Sequence, residues 1–223
     1  MSKIDVLDKG HLTLVDVMGS DKTVVNAARV SYASADWLTK ELSERDEKLI
    51  RYLAEHKHVS PFYHPNVSFV IKAPISVQRQ AVTHRIGTAI NSESTRYTEM
   101  AEEFYMPSVL RGQSKSNKQG SEGLVFGTET LSTYRTSCEL AFRSYRKLLS
   151  EGVAREQARE VLPLCTYTSW FWTMSLAACV HFIKLRDEDH AQEEIRCFAK
   201  AMRQLVTPLF PISMSTLLKE TSS

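Results

Sequence analysis

Apolar positions along the chain switch between two periods, and the switches mark out its elements. Leu12, Leu14 and Val15 open a loosely alternating run to Met18, which predicts a first strand. Asp21 stands at the head of a helical pattern over 22–31, where it would act as cap and where Val24, Val25 and Ala28 share a face. Ser43, with Asp46 three residues on, has the form of a capping box; Leu49, Ile50 and Leu53 give the helix it opens a buried stripe as far as about His56. From Asn66 to Lys72 the period is two, with Val67, Phe69 and Ile71 on one face and Val70 on the other. Pro74 ends that strand and opens a helix expected to carry Gln80 to Arg85. Leu131, Tyr134, Cys138, Ala141, Phe142, Tyr145, Leu148 and Leu149 recur at three and four, the stripe of a long amphipathic helix that Gly152 breaks. Arg155 to Leu162 predicts a short helix ended by Pro163. Trp170 to Leu185 is apolar nearly all round, which predicts a core helix, with His181 as a hydrogen-bonded core residue. A last long helix follows, capped by Asp187 or Asp189, with Ala191, Ile195, Met202 and Leu205 buried and Pro208 and Pro211 as its stop. The tail from Thr216 is expected to fray.

Composition narrows the classes. With 223 residues the chain can bury one sizeable core, and it shows no internal repeat or boundary, so a single domain over 1–223 is expected. Its 28 Lys+Arg against 26 Asp+Glu leave a net charge of +2, so nothing pulls the whole molecule toward nucleic acid or a membrane, and any polyanion site must be local. Cys138, Cys165, Cys179 and Cys197 are scattered without a C-x-x-C pair, which suits reduced thiols in a cytosol. The N-terminus lacks an apolar signal core and no apolar run approaches a membrane span, so a cytoplasmic protein is expected. Arg111 to Gly123 is the most polar piece and reads as a solvated loop.

The local chemistry gathers between Arg79 and Tyr97. Gln80, Thr83 and His84 are spaced to share one helical face, and Gly87 then allows a change of backbone direction. Ser92, Glu93, Ser94 and Thr95 follow as a loop against Arg96. Short hydroxyls and their backbone N–H groups suit phosphate oxygens, which Arg79, Arg85 and Arg96 would neutralise. The same residues also fit a solvated surface with a Ser/Thr turn. His56, His58 and His64 lie close in sequence, but no acidic or Cys ligand sits beside them, so turn and surface histidines are expected and no metal site. Arg29 fits a helix-end charge, and Glu156 with Arg159 a surface ion pair three residues apart.

Five segments nevertheless resemble one family in order. They are Ala27 to Ser31, His58 to His64, His84-Arg85 with Ser94-Thr95-Arg96-Tyr97, Glu156 to Arg159, and Arg186 to Arg196 with its His190-Ala191-Gln192. Together they span roughly 12–205 and are similar to the flavin-dependent thymidylate synthases, ordered co-occurrence being far more specific than one motif. Thr83 stands where that family usually has Arg. The spacer from Arg85 to Ser94 has eight residues instead of seven and includes Ile86-Gly87, as in a branch frequent in phages. Tyr63 replaces a usual Glu, and Ser175 and Ala177 replace Asn and Arg.

The resemblance implies an α/β (α+β) fold, a mixed sheet flanked by long helices, in a homotetramer with active sites between subunits. It implies that FAD takes hydride from NADPH and that methylenetetrahydrofolate supplies the carbon for C5 of dUMP, making dTMP without a Cys nucleophile. By residue match, Arg186 stabilises charge on the uracil and His58 lies near the reacting centre. Gln80, Thr83, Glu93, Ser94, Thr95, Arg96 and Arg159 hold dUMP. Ser60, Thr83, His84, Arg85, Ile86, Ser92, Ser175, His181 and His190 line the FAD. The departures leave three other readings open: C5-methylation or hydroxymethylation of UMP or dCMP, a non-catalytic relative, and a nucleic-acid module along Arg79 to Arg96, against which the small net charge argues.

Overall fold

The computed structural model describes residues 1–32, 38, 41–118, 120–125 and 127–219. In chain order the elements are β1 (Ser2–Val6), β2 (Gly10–Met18), α1 (Asp21–Arg29), α2 (Glu44–Glu55), β3 (Asn66–Pro74), α3 (Ile75–Ala81), β4 (Thr88–Ser92), β5 (Leu110–Gln113), β6 (Ser121–Val125), α4 (Thr128–Ser150), α5 (Arg155–Ala158), β7 (Tyr167–Ser175), α6 (Leu176–Arg186), α7 (Glu193–Val206) and α8 (Pro211–Leu217). The main sheet runs β1-β2-β3-β7-β4 with antiparallel pairings, and β5 and β6 form a separate hairpin. The expected α/β architecture, a sheet flanked by long helices, is therefore present, but the sheet is antiparallel in every pairing among the described residues instead of mixed.

Its core follows from the period-two pattern. Val67, Phe69 and Ile71 on β3 lie opposite Met174, Trp172 and Trp170 on β7, and all six are buried. Phe182 of α6 and Ile195, Phe198 and Met202 of α7 are buried in the same cluster. Ser68 and Thr173 hydrogen-bond on the other face (2.9 Å), where Phe171 is 41% exposed.

The stretch 170–185 is the largest correction. It is not one core helix but the end of a central strand followed by α6. Trp170, Trp172 and Met174 point inward while Ser169, Phe171 and Thr173 point out, and aromatic and β-branched residues suit that pleated surface. Phe171 on the outer face disguised the alternation. Ser175 makes the switch: its Oγ accepts the Ala178 N–H (3.2 Å) and caps α6.

Smaller corrections have equally local causes. The cap of α1 is Ser20, whose N–H donates to Thr23 Oγ1 (3.0 Å), while the cap of α7 is Gln192. Asp187 and Asp189 instead take the Arg203 and Arg196 guanidinium groups at 3.2 and 2.9 Å. Residues 111–123 form most of the β5–β6 hairpin instead of an open loop. Arg29 pairs with the buried Asp46, tying α1 to the capping box of α2, where Ser43 also binds the carboxylate. Burial opposes the Asp46 charge, but the Ser43 hydrogen bonds and Arg29 outweigh it and hold the carboxyl below its usual range.

The C-terminal segment does not fray at Thr216. It forms α8, which packs on α2 with Met214 fully buried. Asp21, itself buried, fastens it by accepting the N–H groups of Ile212 (2.8 Å) and Ser213 (3.0 Å) and the Ser213 hydroxyl. Such charge-assisted bonds at a helix start are strong, and their loss strands buried donors. Asp21→Ala is expected to cost about 3 kcal/mol, read as a lower urea midpoint at unchanged slope.

Candidate active site

Chain direction changes twice between α3 and β4, and the changes place the chemistry. α3 stops at Ala81, short of the expected helix through Arg85. Thr83 Oγ1 donates to the Gln80 carbonyl (2.7 Å) and the His84 N–H to that of Ala81 (3.1 Å), so a turn replaces the helix and the shared face of Gln80, Thr83 and His84 is lost. Gly87 has φ +69, and its carbonyl accepts the Ser175 N–H (2.9 Å). β4 then pairs with β7 in unbroken register from Thr88–Met174 to Ser92–Trp170. Thr88–Ser92 is thus an edge strand, so the expected loop begins only at Glu93, and in the Ile86–Gly87 turn Ile86 is 80% exposed.

A Cβ on Gly87 would lie 2.7 Å from Ser175 Oγ and 3.2 Å from Tyr63 Cε1. The 3-10 turn Ser60–Tyr63 therefore abuts the Gly87 turn and α6. Gly87→Ala is expected to combine left-handed strain with this clash and to lower Tm by roughly 3–6 °C in a calorimetric scan.

The last turn of α6 brings Arg186 to His84. The Arg186 Nε–H donates to His84 Nε2 at 3.1 Å. Phe182 meets the His84 ring edge-on at 5.1 Å between centroids, and His181 meets it at 5.8 Å. Thr88 Oγ1 holds the His84 carbonyl (2.8 Å), so ring and backbone are both fixed. Burial, then the Arg186 and His181 charges, push the His84 pKa down to about 4. The ring is neutral at pH 7, as an acceptor at Nε2 must be. Arg186 is half-buried, and among the described residues its two terminal nitrogens have no partner. His181 is exposed, contrary to the expected core role, because α6 turns 177, 181, 184 and 185 outward.

A polar chain links α3 to α7 and the β5–β6 hairpin, and of its members only Gln80 was a sequence candidate for the site. Gln80 Nε2 donates to Gln192 Oε1 (2.6 Å), Gln192 Nε2 to Glu194 Oε2 (2.8 Å), and Arg111 Nη2 to Glu194 Oε1 (2.7 Å). Burial raises the Glu194 pKa, but Arg111 and Gln192 more than offset it and keep the carboxylate ionised. The chain pins the β5–β6 hairpin to α7. The visible signal for it was Gln192 in the His190-Ala191-Gln192 segment. His190 itself is exposed in a cleft between hairpin and α7, with Asn117, Gln192 and Arg196, and makes no contact with the His84 group.

A second group forms beyond the other end of β4. The Glu93 N–H donates to the Ser169 carbonyl (2.8 Å) and the Tyr97 N–H to that of Ser94 (3.1 Å), closing a turn. Thr95 inside it is buried, and its Oγ1 accepts from Arg159 Nη1 (3.0 Å) at the end of α5. Arg159 thus joins the Ser94–Arg96 turn, with Glu160 at 3.8 Å as a weak second partner. Ser94 is half-buried and Arg96 exposed, its guanidinium near the Tyr97 ring. Five strand residues at about 3.3 Å each put roughly 13 Å between the two ends of β4.

The remaining candidates are dispersed. Ser92 Oγ accepts from Gln78 Nε2 (2.9 Å), and the Ser175 hydroxyl is spent on its cap. His58 and Ser60 are exposed, and His56 stacks on Tyr52 at 4.0 Å with His58 beyond. No group of three metal ligands occurs among the described residues. Burial raises the Cys138 thiol to about 12 and also raises Cys179 and Cys197, so none of these is a ready nucleophile. Arg79 and Arg85 are exposed and make no ion pair among the described residues, and Ile86, which follows Arg85 in sequence, is 80% exposed. Exposed cations for phosphates, with an exposed apolar side chain following Arg85, form a donor set that fits FAD.

Comparison with known proteins bears on this arrangement. A family model described as thymidylate synthase complementing protein matches residues 13–212. A flavin-dependent thymidylate synthase of Thermus thermophilus is 46% identical over 210 residues, covering 94% of this chain and 76% of the relative. One of Thermosipho melanesiensis is 42% identical, with 96% and 93% covered. Among solved structures, a UMP/dUMP methylase of Streptomyces cacaoi bound with 5-Br dUMP superposes with TM-score 0.83 at 34% identity, with 96% of each chain covered. The same enzyme bound with 5-Br UMP gives 0.81 at 33% identity, with 96% and 95% covered.

Proposed function

The chain belongs to the family of thymidylate synthase complementing proteins, the flavin-dependent thymidylate synthases, and from that premise we propose that it methylates dUMP at C5 to give dTMP. FAD is its cofactor, NADPH its reductant and methylenetetrahydrofolate its carbon donor. The observation that carries the reading is Arg186: a half-buried guanidinium whose terminal nitrogens have no partner among the described residues, held by a neutral ring.

C5 of a pyrimidine becomes nucleophilic as negative charge spreads to N3 and the ring carbonyls. A fixed guanidinium beside N3 and O2 stabilises that charge without reorganising, which is how preorganised donors accelerate a step. On the family resemblance, Gln80 and Thr83 are assigned contacts to the nucleotide and His58 a place near the reacting centre. Ser94, Thr95, Arg96 and Arg159 take the phosphate, with Glu93 at the sugar. FAD is held by Arg85, Ile86, His84 and His181 beside Ser60, Ser92, Ser175 and His190. When bound, it supplies the two-electron chemistry needed to bring a transferred methylene group to the methyl level. The raised thiols agree with a route that uses no Cys nucleophile.

The Arg186–His84 pair and the Arg159–Thr95 pair flank opposite ends of β4, about 13 Å long, an arrangement that suits sites shared between subunits, in which one chain presents the phosphate turn and another the base pocket. A homotetramer of this single-domain chain accounts for that, and for apolar Phe171 and Leu140, which are 41% and 55% exposed. No helix among the described residues is long and apolar enough to cross a membrane. Free thiols suit a cytoplasmic enzyme, and the net charge of +2 argues against a nucleic-acid partner.

UMP is the second reading, favoured by the structural relative seen with both bromonucleotides. Assays with dUMP, UMP and dCMP at saturating FAD separate the two. The expected result is a flavin absorption band that bleaches with NADPH and turnover fastest with dUMP. A strong preference for UMP or dCMP would overturn the thymidylate reading, and failure to bind FAD would overturn the enzyme reading.

A further inference from the structure

Nothing so far explains why Arg186 is held by a histidine when carboxylates are the common partners of half-buried arginines. The choice has an electrostatic consequence. A carboxylate would bind the guanidinium through two parallel bonds, satisfy its terminal nitrogens and cancel its charge. The His84 ring contacts one nitrogen, Nε, and brings no charge. It therefore fixes the plane of the guanidinium while leaving both terminal NH2 groups and the full positive charge for a ligand. The ring is itself immobilised, by Phe182 and His181 against its sides and by Ala81 and Thr88 on its backbone. Asp187, the adjacent carboxylate on the same segment, is occupied by Arg203 and so does not reach back to Arg186.

We propose that His84 is a positioning residue for base activation, a neutral anchor that aims Arg186 at the pyrimidine without quenching its charge. The inference rests on the reading of Arg186 given above. It assigns His84 a task apart from any contact with FAD, and it sets the chemical requirement at position 84 as an uncharged hydrogen-bond acceptor of imidazole reach.

Gln and Glu are nearly isosteric and both accept hydrogen bonds, so they separate anchoring from neutrality. His84→Ala and His84→Glu are each expected to lower kcat for dUMP about tenfold or more at saturating FAD, and His84→Gln to recover most of that loss. A purely structural role would not distinguish Gln from Glu in this direction. The second readout is a double-mutant cycle with Arg186→Ala, measured as the Kd for dUMP so that inactive variants can be compared. If His84 acts through Arg186, adding His84→Ala to Arg186→Ala changes that Kd by less than about twofold. FAD titration of each variant by visible absorption confirms that the cofactor is bound. The proposal is overturned if Gln is as damaging as Glu, if the His84→Ala effect persists at full size without Arg186, or if the His84 variants fail by losing FAD. A different result, Arg186→Ala with unchanged activity and Kd, would instead sink the reading of Arg186 itself.

Discussion

Arg186→Ala lowers kcat/KM for dUMP by about two to three orders of magnitude, the expected effect of removing one preorganised donor aimed at developing charge. The loss should fall mainly on kcat, because the interaction strengthens as charge moves onto the ring; a contact equal in ground and transition states would raise KM alone. Arg186→Lys should recover little. Lysine is a point charge on a flexible stem and lacks the Nε–H that meets His84 at 3.1 Å, so it keeps the charge and loses the aim. The substitution also has a spectroscopic signature. Arg186 is the second cause, after burial, of the depressed His84 pKa, so its removal lets that value rise from about 4 toward the usual histidine range. Steady-state kinetics with dUMP and an NMR titration of His84 check both statements. Unchanged kcat with a raised KM would reassign Arg186 to binding alone.

Part of this site was legible in the chain and part was not, for reasons that differ residue by residue. Motif segments named Arg186, His84, Thr95 and Arg159 because residue identity at fixed spacing is what a sequence shows directly. Their pairings, Arg186 with His84 across 102 positions and Arg159 with Thr95 across 64, depend on how β7, α6 and the turn after α3 come together. The same limit explains the strand missed at 167–175. Its outward Phe171 makes an alternating strand look uniformly apolar, and periodicity fails to separate strand from helix when both faces carry large side chains. The helix stop at Ala81 was missed because the signal was Gly87, six residues on, acting through a turn that needs β7 in place to receive its carbonyl. Ser20, one residue before Asp21, caps α1 instead of Asp21. The Asp21 side chain is taken by α8, almost 200 residues away. The capping box at Ser43 and the stripe of α4, whose Cys138, Phe142 and Tyr145 are buried, were legible because both are local.

Arg159→Ala raises KM for dUMP by roughly 10- to 100-fold with kcat nearly unchanged, since a hydrogen bond to a charged partner contributes about 1.5–3 kcal/mol and a phosphate takes no part in the bond changes at C5. Thr95 gives the argument its geometry. It is buried in the turn and holds one guanidinium nitrogen at 3.0 Å, so the remaining donors of Arg159 are presented at the Ser94–Arg96 backbone, where short hydroxyls and N–H groups also gather. Glu160 at 3.8 Å competes weakly, because an exposed pair of that length is worth little in water. Arg159→Lys should fall between parent and Ala, keeping charge without the fork. The decisive comparison is deoxyuridine, which has the same base and sugar and no phosphate. The Arg159 variants should turn it over as poorly as the parent does, so the difference between proteins that is large with dUMP vanishes. Raised salt should likewise narrow the gap by screening the parent's advantage. A full-sized Arg159→Ala defect with deoxyuridine would place this arginine at the base or in the fold of the 94–97 turn, and the phosphate site would have to be sought at Arg79 or Arg85.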